Sequence, residues 1–504
     1  VGSTPAAHPA GRAQTGSDAG RNIWFKNTYG NEVFLTLIFP TLPGGFQLAV
    51  GNVLTSPRDT RFDVYGVVND PDCTAGDAST GFLDRCADPN ATGIIGIRKF
   101  PNPNFPAAGP PFLVGTTCAA CHTGLSAQNP PANPNHPTWD NIEVMPGNPF
   151  LQVGKLFGDN LSTHDPRYQV FHSWAAGTLD TTAIWTDHIN NPLATASINE
   201  FQDWPQFQFT AGGVALTAPR QENGGQDDTG CQHRSLRVYL SEGMCARECS
   251  LPAAAANVPI DINACRAACP TFAQAEQDVA LLCDFMRGWQ PPRLSEAPGG
   301  GSFIDSSAVV RGSSVFSANC ASCHSPNNEI YSDDQVHPMA DIGTNTCAAR
   351  TSNWMAGRIW AQFSSDQYKA RPTGGPGFMR DVTLQGIWAS APLLHTNRLG
   401  TYTGDPSVAG RVAAFEDAMN QLLNPAIRVP FIARTTDFVV LPGGVTLPAG
   451  TPVAAFANSD GAGGTLCPNL SGTGPDVVEN FGHTFGANLS DADKYALIEF
   501  LKTL

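Results

Sequence analysis

Cys118-Ala119-Ala120-Cys121-His122 and Cys320-Ala321-Ser322-Cys323-His324 constrain this chain more than any other feature, because each is a C-x-x-C-H pentapeptide with its own histidine. Two thiols one short turn apart can add to the two vinyl groups of a haem. The adjacent imidazole then falls beneath the ring and binds the iron. A lone motif also fits a redox dithiol. Two copies about 200 residues apart point instead to two covalently bound c-type haems. The fold must therefore build two haem pockets. Cys118, Cys121, Cys320 and Cys323 are the attachment points, and His122 and His324 the proximal iron ligands.

A chain of 504 residues has length for two sizeable domains. Charged residues are only 14%, while Gly numbers 50 and Pro 41, which predicts modest helices joined by long irregular connections. A net charge of −15 argues against nucleic acid or an anionic membrane surface as partner. No apolar run reaches the roughly 18 residues that would mark a membrane span. Residues 1–21 are rich in Gly, Ala, Ser and Thr and read as the disordered N-terminal tail of a mature, exported chain. Haem attachment of this kind takes place outside the cytoplasm, so the expected location is periplasmic or extracellular.

Cysteine usage points the same way. Fourteen cysteines less the four haem thiols leave ten, an even number that suggests disulfides in an oxidising compartment. Cys245 and Cys249, like Cys265 and Cys269, have i, i+4 helical spacing on either side of a Pro-containing loop. Two antiparallel helices would bring Cys245 to Cys269 and Cys249 to Cys265. A zinc site on the same four sulfurs is the competing reading. Cys73–Cys86 would close a short loop, and Cys231–Cys283 and Cys347–Cys467 follow by elimination.

The expected fold is mainly α, as two enlarged cytochrome c-like domains with long irregular loops and little β. The first domain would occupy 22–297 and the second 305–504, with Pro298-Gly299-Gly300-Gly301 as the linker. Residues 278–289 have apolar positions at helical spacing and end before Pro291-Pro292. Residues 309–316 predict a short amphipathic helix leading into Cys320, and Ser490 through Asp493 a capped start for a helix to Leu504. Each half would then end in an apolar helix that packs on its first helix beside the haem.

The opposite face of each iron decides function. A second strong ligand makes an electron-transfer haem, whereas an open position admits O2 or peroxide. His483 lies in the glycine-flanked loop Phe481-Gly482-His483-Thr484-Phe485-Gly486 and is the expected second ligand of the second iron, with Met339, Met379 and His395 as rivals. Trp139 and Trp174 are candidates for an aromatic bridge between the haems.

Two C-x-x-C-H motifs, then Leu384-Gln385-Gly386-Ile387-Trp388-Ala389-Ser390-Ala391-Pro392-Leu393-Leu394-His395, resemble the bacterial dihaem cytochrome c peroxidase superfamily. The Gly482-His483-Thr484-Phe485-Gly486 ending is similar to its larger members, such as the dihaem rubber oxygenases. The resemblance implies a reactive first haem and a second haem that stores electrons. For the first haem it implies an open face, whose candidate lining is 200–209: Glu200 as a proton-transfer group, and Trp204 and Phe207, with Phe201 and Phe209, as apolar walls. It leaves three expectations: an oxygenase cleaving a hydrophobic alkene such as polyisoprene with O2, a peroxidase reducing hydrogen peroxide with electrons from a small cytochrome c or cupredoxin, or a non-catalytic dihaem electron carrier. A structural Ca2+ between the domains is a further ion to test for.

Overall fold

The computed structural model describes residues 18–41, 45–145, 147–178, 210–211, 214–215, 244–256, 258, 260–278, 281–282, 285, 290–324, 336–345, 378–380, 384–394, 396–457 and 478–504. It is mainly helical with a few small sheets, as expected. Every sheet among the described residues is an antiparallel two-stranded ladder, such as Ile97–Pro101 on Phe112–Thr116 and Thr123–Leu125 on Ile142–Val144.

Caps set where the second-half helices start. Asp305 accepts from the Ser307 backbone N–H and opens the helix Ser306–Asn319, which leads into Cys320. Ser490 accepts from the Asp493 N–H and opens Asp491–Leu501. These two helices cross where Gly312 meets the last helix. A Cβ on Gly312 would lie 1.9 Å from the Ala496 carbonyl oxygen and 2.7 Å from the Phe500 Cβ. Only glycine permits that approach. At the end of the last helix Glu499 and Lys502 form a buried ion pair at 2.6 Å. Lys502 also donates to the Phe303 carbonyl, and Glu499 accepts from the Asp305 N–H at 2.7 Å.

The first half repeats this contact with elements far apart in sequence. The chain's opening helix is Asp18–Lys26, so the stretch expected as tail is helical from Asp18 onward; residues 1–17 lie outside the described residues. A Cβ on Gly20 would lie 2.2 Å from the Leu281 carbonyl oxygen and 2.8 Å from the Phe285 Cβ. Asp278, Leu281, Leu282 and Phe285 are helical, in the segment expected to form a helix. Gly20 on Leu281 and Phe285 thus matches Gly312 on Ala496 and Phe500, residue spacing included. The difference is the interval. The second-half helix runs straight into its C-x-x-C-H motif, whereas about 90 residues separate the first from Cys118.

The two halves interlock. Leu294 and Ala297, from just before the expected linker, are buried with Phe316, Trp388, Phe415, Leu497 and Phe500, and Ala127 joins them. Conversely, Val453 and Ala457 are buried among Phe34, Phe39, Val67, Leu151 and Phe171. Among the described residues three disulfides staple the irregular parts: Cys73–Cys86 across a two-stranded ladder, and Cys245–Cys269 with Cys249–Cys265 joining helical turns. With those four sulfurs in S–S bonds, no thiolate remains for zinc. Cys231, Cys283, Cys347 and Cys467 lie outside the described residues.

Candidate haem sites

The four C-x-x-C-H thiols stay unbridged, although each pair sits one helical turn apart. Burial pushes Cys118 up to about 12 and Cys121 and Cys320 up to about 11. A redox dithiol instead needs a thiol shifted down toward neutrality. Cys118, Cys121 and Cys320 pack against apolar clusters, whereas Cys323 is exposed.

The first motif is anchored on both sides. Gly96 lets the backbone pass against the motif's turn, since a Cβ there would lie 2.0 Å from the Ala120 nitrogen, and Thr117 N–H donates to the Gly96 carbonyl at 2.8 Å. Met145 N–H donates to the His122 carbonyl at 2.9 Å and Asn148 N–H to the Cys121 carbonyl at 2.8 Å. Trp24, Phe62, Leu125, Val144, Phe150, Leu282 and Phe285 form the apolar cluster against Cys118. The Trp24 indole meets the His122 imidazole edge-on, with ring centres 6.1 Å apart.

At the second motif two imidazoles face each other. The His324 and His483 ring centres lie 6.2 Å apart with the planes inclined at 52°. Imidazoles bound to opposite sides of one metal ion, each through a bond of about 2 Å, have ring centres roughly 6 Å apart. The pair is spaced to accept an iron between them. His483 Nδ1 is buried with no hydrogen-bond partner among the described residues. Burial, then the neighbouring His324, pushes His483 down to about 4 and keeps it the neutral imidazole a metal requires.

The loop that presents His483 is built for close approach. Gly482 has φ +83° and a Cβ there would lie 2.1 Å from the Gly343 oxygen; His483 itself has φ 44°, a conformation that non-glycine residues hold only under surrounding constraint. The constraint is visible. His483 N–H donates to the Ile342 carbonyl at 3.1 Å. Arg428 donates to the carbonyls of Gly482 and His483, and also to those of Gln421 and Leu422 at the end of the helix Val408–Leu423. Phe485 packs edge-on against the His483 ring at 5.2 Å. A half-buried arginine that serves backbone carbonyls, as Arg428 does, leaves no spacing signature in a sequence.

Other described histidine side chains are occupied elsewhere. His136 pairs with Asp59, His164 with Asp437 and His172 with Asp159. Trp139 packs on Phe25 and Trp174 on Phe157 and Phe171, all within the first half. Glu200, Trp204, Phe207 and His395 lie outside the described residues, as do the side chains of Met339 and Met379. Among the described residues no group of three or more His, Cys, Asp or Glu could chelate a bare metal ion, and no helix is long and apolar enough to cross a membrane.

No protein-family model matches the chain. It is 29% identical to the uncharacterized protein y4iM of Sinorhizobium fredii over a segment covering 19% of this chain and 28% of that protein. The chain thus matches little more than a quarter of that relative's length.

Proposed function

We propose that this chain is an exported dihaem c-type oxidoreductase. Its first haem, on Cys118, Cys121 and His122, would be the reactive centre, and its second, on Cys320 and Cys323, an electron-transfer centre between His324 and His483. The observation that carries the reading is the facing His324/His483 pair at 6.2 Å, set against His122, whose ring meets the Trp24 indole among the described residues. Two strong ligands saturate an iron, and one leaves a position for O2 or peroxide. The three disulfides among the described residues fit an oxidising compartment.

When bound, a haem supplies reversible electron gain and a place for an oxidant to bind. The chain's own residues do the rest. Arg428 and the Gly482 turn hold His483 against His324, so gain and loss of an electron need little rearrangement. Met145 and Asn148 fix the carbonyls of His122 and Cys121, and the cluster of Trp24, Phe62, Leu125 and Phe150 keeps water from the attachment side. On the substrate side, Phe201, Trp204 and Phe207 would form an apolar wall for a hydrophobic alkene such as polyisoprene, with O2 as the oxidant. A small cytochrome c or cupredoxin would deliver electrons.

A pyridine haemochrome assay should count two haems per chain, and EPR should separate one low-spin bis-imidazole centre from one that binds CO or cyanide. O2 uptake with an unsaturated hydrocarbon supports the oxygenase. Rapid peroxide turnover that is lost in Glu200→Gln replaces it with a peroxidase. Two low-spin centres that bind no external ligand leave an electron carrier.

A further inference from the structure

The first half contains a line of packed aromatic rings that the proposed reaction leaves unused. It starts at His122, whose imidazole meets the fully buried Trp24 at 6.1 Å. Phe25 is the next residue along the chain, and its ring meets Trp139 in a T-shaped contact at 6.0 Å. Phe285 braces both links, 5.8 Å from Trp24 and 6.5 Å from Phe25. The line ends at the surface, where half-buried Trp139 donates its Nε1–H to the exposed Asp72 carboxylate at 2.9 Å.

The two indoles are equipped differently. Trp24 donates to the neutral hydroxyl of Thr123 at 3.1 Å, in a buried setting. Trp139 has a carboxylate at its N–H, and the Arg21 guanidinium stands 5.2 Å from its ring centre and 5.0 Å from that of Phe25. An indole that loses an electron becomes a much stronger acid. A cation over the ring opposes a retained positive charge, and a hydrogen-bonded carboxylate can take the proton. Trp139 is therefore where a missing electron can rest as a neutral radical.

We propose that His122, Trp24, Phe25 and Trp139 form a one-electron route between the first haem site and the surface, with Trp139 as its redox terminus and Asp72 as the proton acceptor. This rests on the first-haem reading above. In the step, peroxide is the oxidant that leaves the haem site short of electrons. Trp139 gives up one electron, which passes inward through Trp24 to that site. Its N–H bond breaks, the proton goes to Asp72 Oδ1, and a neutral indolyl radical remains. A one-electron donor at the surface restores the indole as the proton returns. The route would spare the haem pocket from oxidative damage and offer an electron entry separate from the second haem.

The test uses the full chain with both irons ferric, mixed with one equivalent of H2O2 and freeze-quenched for EPR, with peptide mass spectrometry of the same samples. A tryptophan radical and oxygen addition at Trp139 are expected. Trp139→Phe keeps the contact with Phe25 and should lose both, and Asp72→Asn should diminish the radical. A signal unchanged in Trp139→Phe overturns the route. So does the absence of any tryptophan radical in a protein that carries two haems by pyridine haemochrome and binds CO at the first. A protein without haem on Cys118 and Cys121 overturns the underlying reading instead, and the same haemochrome assay tells the two failures apart.

Discussion

The Arg411 guanidinium donates to the Leu125 carbonyl oxygen at 2.8 Å, joining a second-half helix to the strand that leaves His122. Its other donors serve the carbonyls of Ala389 at 3.0 Å and Pro406 at 3.1 Å, and its plane covers the Phe150 ring at 4.8 Å. Arg411 is thus a buried cation that works as a three-way hydrogen-bond donor, and burial pushes its pKa down to about 10. Arg411→Met would leave three carbonyls without this donor at the junction between halves. Each unsatisfied buried group costs about 1–3 kcal/mol. Urea unfolding should show a loss of at least about 3 kcal/mol, with Arg411→Lys recovering only part, since an ammonium cannot span the same fork.

The paired glycine contacts give a second expectation. Gly20→Val and Gly312→Val each force a side chain into a carbonyl about 2 Å away. Overpacking of this kind costs about 1–3 kcal/mol. Gly312→Val should disturb the second-haem spectrum first and Gly20→Val the first-haem spectrum, read by EPR on the separate variants. Equal effects on both haems would mean that the crossings do not belong to separate halves.

How far the sequence revealed this architecture depended on whether a signal was local. Asp305 and Ser490 announced their helices through capping chemistry a few residues long. The disulfide hairpin was legible because Cys245/Cys249 and Cys265/Cys269 share the helical repeat. The opening helix was missed because its partner is the segment around Leu281 and Phe285, some 260 residues away, and its own Gly and Ala read as tail composition. Arg411 and Arg428 gave no signal at all, since their partners are backbone carbonyls that any residue supplies. At the second site the glycines around His483 announce a tightly packed loop, whereas the Arg428 donors that hold its carbonyls leave no such mark.

The α-helical pair beside the second motif should loosen in acid. Asp305 is held below the usual carboxylate range by the Ser307 hydroxyl and then the Tyr495 hydroxyl, and Asp493 by the Ser490 hydroxyl and then Arg311. A carboxylate whose folded pKa is depressed contributes stability that is fully present above its unfolded value, near about 3.9. That contribution is lost as pH falls through the lower, folded values. Far-UV circular dichroism against pH should therefore show a transition below about pH 4 that flattens in Asp305→Asn/Asp493→Asn. A transition of the same depth in the double variant would assign it to other groups.

His483 and Arg428 make separable predictions. His483→Ala removes one of the two imidazoles whose ring centres lie 6.2 Å apart, so the proposed second haem should turn from low-spin to high-spin and should stay attached through Cys320 and Cys323. Arg428→Met leaves the imidazole but frees the carbonyls of Gly482 and His483 that the guanidinium now holds. Hydrogen bonds from a charged donor contribute about 1.5–3 kcal/mol each. The released loop should then give a mixture of low-spin and high-spin signals that shifts toward high-spin on warming, since a strained φ of 44° at His483 persists only under constraint. Added imidazole should restore the low-spin signal in His483→Ala by filling the vacated position. A low-spin spectrum unchanged in His483→Ala would hand the second ligand to Met339, Met379 or His395.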